Sequence, residues 1–221
     1  MSVDDTLFSA EEPKSNVLET LARERVVPVA VIDDAAVAVD LGRAVAAGGL
    51  STVEVTFRTE AAVESIRRLA AETELVVGAG TVLTRAQVDA AAAAGARFVV
   101  SPGFSPAVVR HCRELGLPVL PGVATPTDIM AALDEGVEVV KFFPAEQYGG
   151  VNTVKALAAP FRSVRLVPTG GITAALLPAY LAVPAVLAVG GSWMVAPALV
   201  AARDWSAITR LTAEACGAVH A

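Results

Sequence analysis

Cysteine is scarce in this chain of 221 residues, with Cys112 and Cys216 the only two, each inside an amphipathic run and far from the other. No disulfide framework and no zinc knuckle can be built from such a pair, which reads as two reduced, packing thiols. Histidine is equally rare, His111 falling in a predicted helix and His220 at the C-terminus. No Asp/Glu cluster has ligand spacing either, so no metal site is expected. An excess of positive charge is also missing. Seventeen basic against twenty-three acidic side chains give a net charge of −6 with no Lys/Arg cluster along the chain, and nucleic acid is not an expected partner. The N-terminus, MSVDDTLFSAEEPKSN, is acidic where a secretory signal would be basic and then apolar, so a cytoplasmic address is expected. Mean hydropathy is +0.58, and no charged side chain occurs from Leu166 to Ala202. That stretch is nonetheless cut by Pro168, Gly170, Gly171, Pro178, Pro184, Gly190, Gly191 and Pro197, so an unbroken apolar helix of about 20 residues is never available and no membrane span is expected.

What the chain does have is a large apolar complement, 54% of residues against 18% charged, with ordinary numbers of glycine and proline. This fits one α/β domain over residues 1–221, with residues 1–13 a flexible extension. Runs rich in β-branched residues begin at positions 26, 52, 75, 98, 118, 137, 165 and 186. Between them lie Ala-rich stretches of helical periodicity, several ending in glycine where a left-handed C-cap would sit. The spacing between runs is that of a strand, a helix and two short loops. Eight such units predict a closed (β/α)8 TIM barrel, with an extra N-terminal helix over Lys14 to Glu24 as a lid on its floor and a last helix over Ser206 to Val219. An open doubly wound sheet is the alternative, but no GxGxxG opens a helix after the first strand.

Polar residues at the C-terminal ends of the strands are the candidates for chemistry. Lys141 stands in VEVVKFFPA, flanked by Val139, Val140, Phe142 and Phe143, in a chain with three lysines against fourteen arginines. Burial there disfavours the ammonium form, as a Schiff-base nucleophile requires; the alternative is a structural lysine paired with a buried carboxylate. Glu54, in TVEVTFR, shares one strand face with Thr52 and Thr56. It could neutralise Lys141 or serve as general acid and base. Arg58, at the end of the same strand, suits a substrate carboxylate or a surface rim. Thr81, ending GAGT, offers a hydroxyl at a strand mouth or a helix N-cap. The glycine pairs in PTGGI (Pro168–Ile172) and GGSWM (Gly190–Met194) let backbone N–H groups approach a phosphate, if they are more than tight turns. Trp193 reads as packing beneath its loop.

Taken together, VVPV at Val26, VEVTFRTE at Val53, VGAGTVL at Val77, SPGF at Ser101, PGVATPTD at Pro121, KFFPAE at Lys141, PTGGI and GGSWM resemble the class I 2-keto-3-deoxy-6-phosphogluconate (KDPG) aldolases, also described as 4-hydroxy-2-oxoglutarate (KHG) aldolases. The matching segments run in order through about nine-tenths of the chain. The resemblance implies a cofactor-free Schiff-base lyase that cleaves KDPG to pyruvate and glyceraldehyde 3-phosphate. It implies Lys141 as the Schiff-base lysine and Glu54 as the proton shuttle. Arg58 and Thr81 would bind the pyruvoyl carboxylate, and Pro102 would line the pyruvate pocket through its backbone. Thr169, Gly170, Gly171, Gly191 and Ser192 would hold the substrate phosphate, in a protein that forms a homotrimer. Val53 stands where the family commonly has Leu or Ile. Two other readings stay open: a related aldolase for 2-keto-3-deoxy-6-phosphogalactonate or 4-hydroxy-2-oxoglutarate, and a non-catalytic phosphosugar-binding protein.

Overall fold

A computed structural model describes residues 17–219. The extension over residues 1–13 and the predicted helix start at Lys14 lie outside the described residues, as does His220. The helices are α1 (Val17–Glu24), α2 (Ala38–Ala47), α3 (Ala62–Glu72), α4 (Arg85–Ala93), α5 (Pro106–Glu114), α6 (Pro126–Asp134), α7 (Gly150–Ala158), α8 (Leu177–Leu181), α9 (Pro197–Ala202) and α10 (Trp205–Val219). The strands are β1 (Val26–Ala30), β2 (Thr52–Thr56), β3 (Val76–Gly80), β4 (Phe98–Val100), β5 (Val119–Leu120), β6 (Gly122–Val123), β7 (Val139–Phe142), β8 (Arg165–Pro168) and β9 (Val189–Gly191). Alternation of strand and helix follows the spacing of the β-branched runs. Helix starts are set locally: Thr84, Ser105 and Thr125 accept hydrogen bonds from the N–H groups of Gln87, Val108 and Asp128, and Pro106 and Pro126 sit in the first turn. After α2, α4, α5 and α6 the chain reverses at Gly49, Gly95, Gly116 and Gly136, all with positive φ as the sequence leads one to expect.

The closed eight-stranded barrel is not what these elements build. The strands form two parallel sheets, one of six in the order β5-β4-β3-β2-β1-β9 and one of three in the order β6-β7-β8. The physical reason at the first seam is Pro121. It splits the fifth apolar run into β5 and β6, and a proline has no N–H to offer a ladder. Its carbonyl still accepts from the Lys141 N–H at 2.9 Å, so β6 stays with β7. At the second seam no ladder joins β8 to β9; the contacts are two isolated bridges, Leu166↔Val186 ahead of β9 and Thr169↔Gly190 just past β8. Pro168 withholds another donor there. Expecting one continuous strand per apolar run overlooked both prolines.

Strand residues alternate between two cores, as a period of two requires. Val53, Val55, Val99, Val140, Phe142 and Leu166 pack outward against the helices. Val27, Phe98, Val100, Leu120 and Val167 point into the interior between the sheets, where Val17 and Leu21 of α1 close the layer. The N-terminal helix, described from Val17, thus lies against this interior. Among the described residues no helix is long and apolar enough to cross a membrane. Leu21 is 0% exposed, so Leu21→Ala should cost about 2–5 kcal/mol in urea unfolding; a cost below about 1 kcal/mol would show that α1 does not seal the interior.

Candidate active site

On β2 and β7 the period of two that sends valines outward sends Glu54 and Lys141 inward. The two strands belong to different sheets, and their side chains meet across the interior, Lys141 Nζ lying 3.6 Å from Glu54 Oε1. Both residues are buried, at 5% and 4% exposure. Glu54 Oε1 accepts no hydrogen bond, leaving a buried oxygen able to take a proton. Room for this carboxylate comes from β3, where a Cβ on Gly80 would fall 2.0 Å from Glu54 Oε1. The Phe143 ring centroid is 5.0 Å from Lys141 Nζ, a cation–π distance.

Above the pair, at the C-terminal ends of the strands, opens a cleft of about 510 Å³. Lys141 forms part of its floor. Arg58, Thr81, Pro102, Thr169, Gly170, Gly171, Gly191 and Ser192 all line it. Every site residue named from the sequence is therefore at this cleft except Glu54, which lies just beneath it behind Lys141, beside a void of about 10 Å³ that Thr169 and Gly190 also border. Arg58 is exposed and, among the described residues, no carboxylate pairs with it. Thr81 is not a helix cap, since Thr84 caps α4. It sits in the left-handed region at φ +57°, a conformation costing a β-branched residue on the order of 1–3 kcal/mol. Elsewhere in the lining, the N–H groups of Gly171 and Ser192 donate to no other group among the described residues, while that of Gly170 is turned to Gly190 by the bridge between Thr169 and Gly190. Trp193 packs beneath the loop, where a Cβ on Gly191 would lie 1.9 Å from its ring.

The sequence did not single out Phe143, Gly80, or the pair formed by Glu146 and Tyr180, whose hydroxyl donates to the Glu146 carboxylate. Tyr180 carried one signal, as the only tyrosine in the long charge-free stretch, where a buried hydroxyl needs a partner. A larger cavity, about 670 Å³, lies around Glu24 and Cys216 and contains none of the candidate residues. The Glu24 carboxylate there is occupied by Ser51 and Thr52. Burial pushes the Cys112 thiol up to about 11, in keeping with a packing role. Among the described residues no three His, Cys, Asp or Glu side chains gather in a group able to hold a metal ion.

A buried lysine beside an unsatisfied carboxylate, under a cleft that also holds a guanidinium and free amides, is the equipment of a Schiff-base carbon–carbon lyase. The chain belongs to the KDPG and KHG aldolase family, which it matches over residues 17–211. It is 51% identical over 197 residues, 89% of this chain and 94% of the relative, to the 2-dehydro-3-deoxy-phosphogluconate aldolase of Treponema pallidum (strain Nichols). Among solved structures, the 2-keto-3-deoxy-6-phosphogluconate aldolase of Zymomonas mobilis ZM4 with 3-phosphoglycerate superposes with a TM-score of 0.85 at 44% identity, covering 90% of this chain and 94% of that one. KDPG aldolase from Legionella pneumophila, with pyruvate captured as a covalent carbinolamine, gives a TM-score of 0.86 at 37% identity and covers 90% and 98%. The α/β fold is thus shared with these relatives.

Gly80→Ala should drive Glu54 out of place and lower aldolase turnover at least about tenfold, while circular dichroism stays unchanged. Turnover equal to the parent would show that Glu54 needs no such space.

Proposed function

We propose that this protein is a class I aldolase that cleaves KDPG to pyruvate and glyceraldehyde 3-phosphate. The observation that carries the reading is the buried approach of Lys141 Nζ to Glu54 Oε1, 3.6 Å apart at the floor of the cleft. The relatives named above support the substrate. The substrate carboxylate would lie toward Arg58 and Thr81, with the Pro102 backbone along the pyruvate unit. Its phosphate would lie at the free amides of Gly171 and Ser192, beside Thr169, Gly170 and Gly191. This places the C2 ketone over Lys141.

The Lys141 amine adds to C2 to give a carbinolamine, and loss of water leaves an iminium. The iminium draws the C3–C4 bonding electrons toward nitrogen. Glu54, directly or through one water, takes the proton from the C4 hydroxyl; the C3–C4 bond breaks, glyceraldehyde 3-phosphate departs and an enamine remains on Lys141. The same carboxyl returns a proton to C3, and water hydrolyses the iminium to release pyruvate and the free amine. Burial of the pair keeps bulk water from quenching the enamine early. The proposal extends to a cytoplasmic homotrimer that needs no metal ion.

Pyruvate with borohydride should inactivate the protein and add a pyruvate-derived mass to Lys141, with or without EDTA. Label at Lys14 or Lys155 with Lys141 untouched would overturn the mechanism, and a requirement for zinc or magnesium would overturn the metal-free reading. Lys141→Arg should lose turnover and keep the parent's circular dichroism, since a guanidinium cannot form the imine.

For Glu54→Gln, kcat should fall roughly 10²-fold or more. Deuterium exchange into the pyruvate methyl group should slow in parallel, while imine trapping at Lys141 persists. Full activity would return Glu54 to a purely structural role.

A further inference from the structure

Glu146 and Tyr180 take no part in the chemistry above, yet they stand directly behind the wall of the cleft, against its Gly170–Gly171 turn. Tyr180, on α8, has no exposed surface, and its hydroxyl donates to Glu146 Oε1. Burial first, and the carboxylate it faces second, hold that hydroxyl well above the usual phenol range, so it stays a donor. Glu146 in turn is clamped to the Gly170–Gly171 turn. Its N–H donates to the Gly170 carbonyl at 3.1 Å, and the Ala145 N–H donates to Thr169 O at 2.8 Å. A Cβ on Gly171 would lie 2.8 Å from Glu146 Cβ and 3.0 Å from its Cγ. On the other side, a Cβ on Gly150, the first residue of α7, would lie 2.9 Å from Glu146 Oε1 and 3.3 Å from the Tyr180 hydroxyl. The Glu146 side chain therefore fills the gap between the turn and the start of α7, with Tyr180 fixing its far end.

The turn needs such support. Gly170 and Gly171 have φ of +104° and +78°, and the Gly171 N–H is tied to no group among the described residues. Two glycines in sequence have wide conformational freedom, so a fixed direction for their amides must be imposed from outside.

We infer that Glu146 and Tyr180 are positioning residues that set the Gly170–Gly171 turn, and through it the affinity for the phosphate end of the substrate. The inference rests on the proposed reading of this turn as the phosphate site. Removing the Tyr180–Glu146 hydrogen bond should loosen the turn and leave the Lys141–Glu54 floor intact, because that floor rests on β2 and β7 and makes no contact with the phosphate.

Cleavage of KDPG, cleavage of 4-hydroxy-2-oxoglutarate, which has no phosphate, and deuterium exchange into pyruvate should be measured side by side in the parent protein, Tyr180→Phe, Glu146→Ala and Glu146→Gln. Tyr180→Phe and Glu146→Ala should each raise KM for KDPG roughly tenfold with kcat and pyruvate exchange near the parent's. Glu146→Gln keeps an oxygen to accept from Tyr180 and should stay within about twofold. The double variant Tyr180→Phe/Glu146→Ala should be no worse than Glu146→Ala alone. An unchanged KM in Tyr180→Phe and Glu146→Ala, in a parent that prefers KDPG, would overturn the positioning role and leave the phosphate site standing. A parallel loss of pyruvate exchange would also overturn it, as general damage. Equal use of both substrates by the parent would overturn the phosphate reading itself, and the inference with it.

Discussion

The approach of Lys141 to Glu54 constrains more of this structure than any other contact. An amine and a carboxyl buried together are costly unless each serves the other, and removing one partner from such a pair typically costs about 3–5 kcal/mol. Here the partners come from different sheets, β2 in the sheet of six and β7 in the sheet of three. The pair therefore spans an interior that no continuous ladder of strands closes on both sides. Beneath it the apolar layer of Val27, Phe98, Val100, Leu120 and Val167, sealed by Leu21, leaves room for little more than one water. Glycine at position 80 follows from the same constraint, because any side chain there would take the space of the carboxylate.

From that floor the cleft becomes progressively wetter, and its chemistry changes with depth. Lys141, Glu54 and Thr169 are buried, and Gly171, Ser192 and Arg58 face solvent. A substrate with an anionic group at each end and a ketone between them matches this order. Its charged ends meet a guanidinium and free amides near the surface, and its reacting carbons reach the dry end. The left-handed Thr81 and the glycine turn at 170–171 both line the cleft with positive φ, and they stand at the parts proposed to hold those two ends. Strain of this kind persists only where the surroundings over-determine it.

Much of the site was legible before any coordinates. Lys141 and Glu54 stood out as charges inside β-branched runs, and the period of two put Glu54 on one face with Thr52 and Thr56. In the structure that face runs inward: Thr52 bonds to Glu24, Glu54 meets Lys141, and Thr56 lines the cleft. Helix boundaries were readable as well, since SPAVV and TPTD carry caps and first-turn prolines whose effect is local. The closed barrel was not a sound deduction. Spacing counted eight apolar runs correctly, but Pro121 breaks one of them, and whether neighbouring strands continue a ladder depends on each donor and acceptor at the seam. The partnership of Glu146 with Tyr180 was likewise invisible, because 34 residues separate them and nothing in either segment names the other.

By itself, then, the sequence determined the alternation of strands and helices, the turns that end them and the set of side chains too polar for the runs they occupy. These depend on periodicity and on contacts within a few residues, which the chain order already contains. Only the tertiary structure decided that the strands divide into two sheets, that residues 54 and 141 face each other at 3.6 Å, and that a tyrosine behind the wall grips the residue bracing the glycine turn. Such facts concern distances between segments remote in sequence, and they arise only when packing chooses one arrangement for all of them at once.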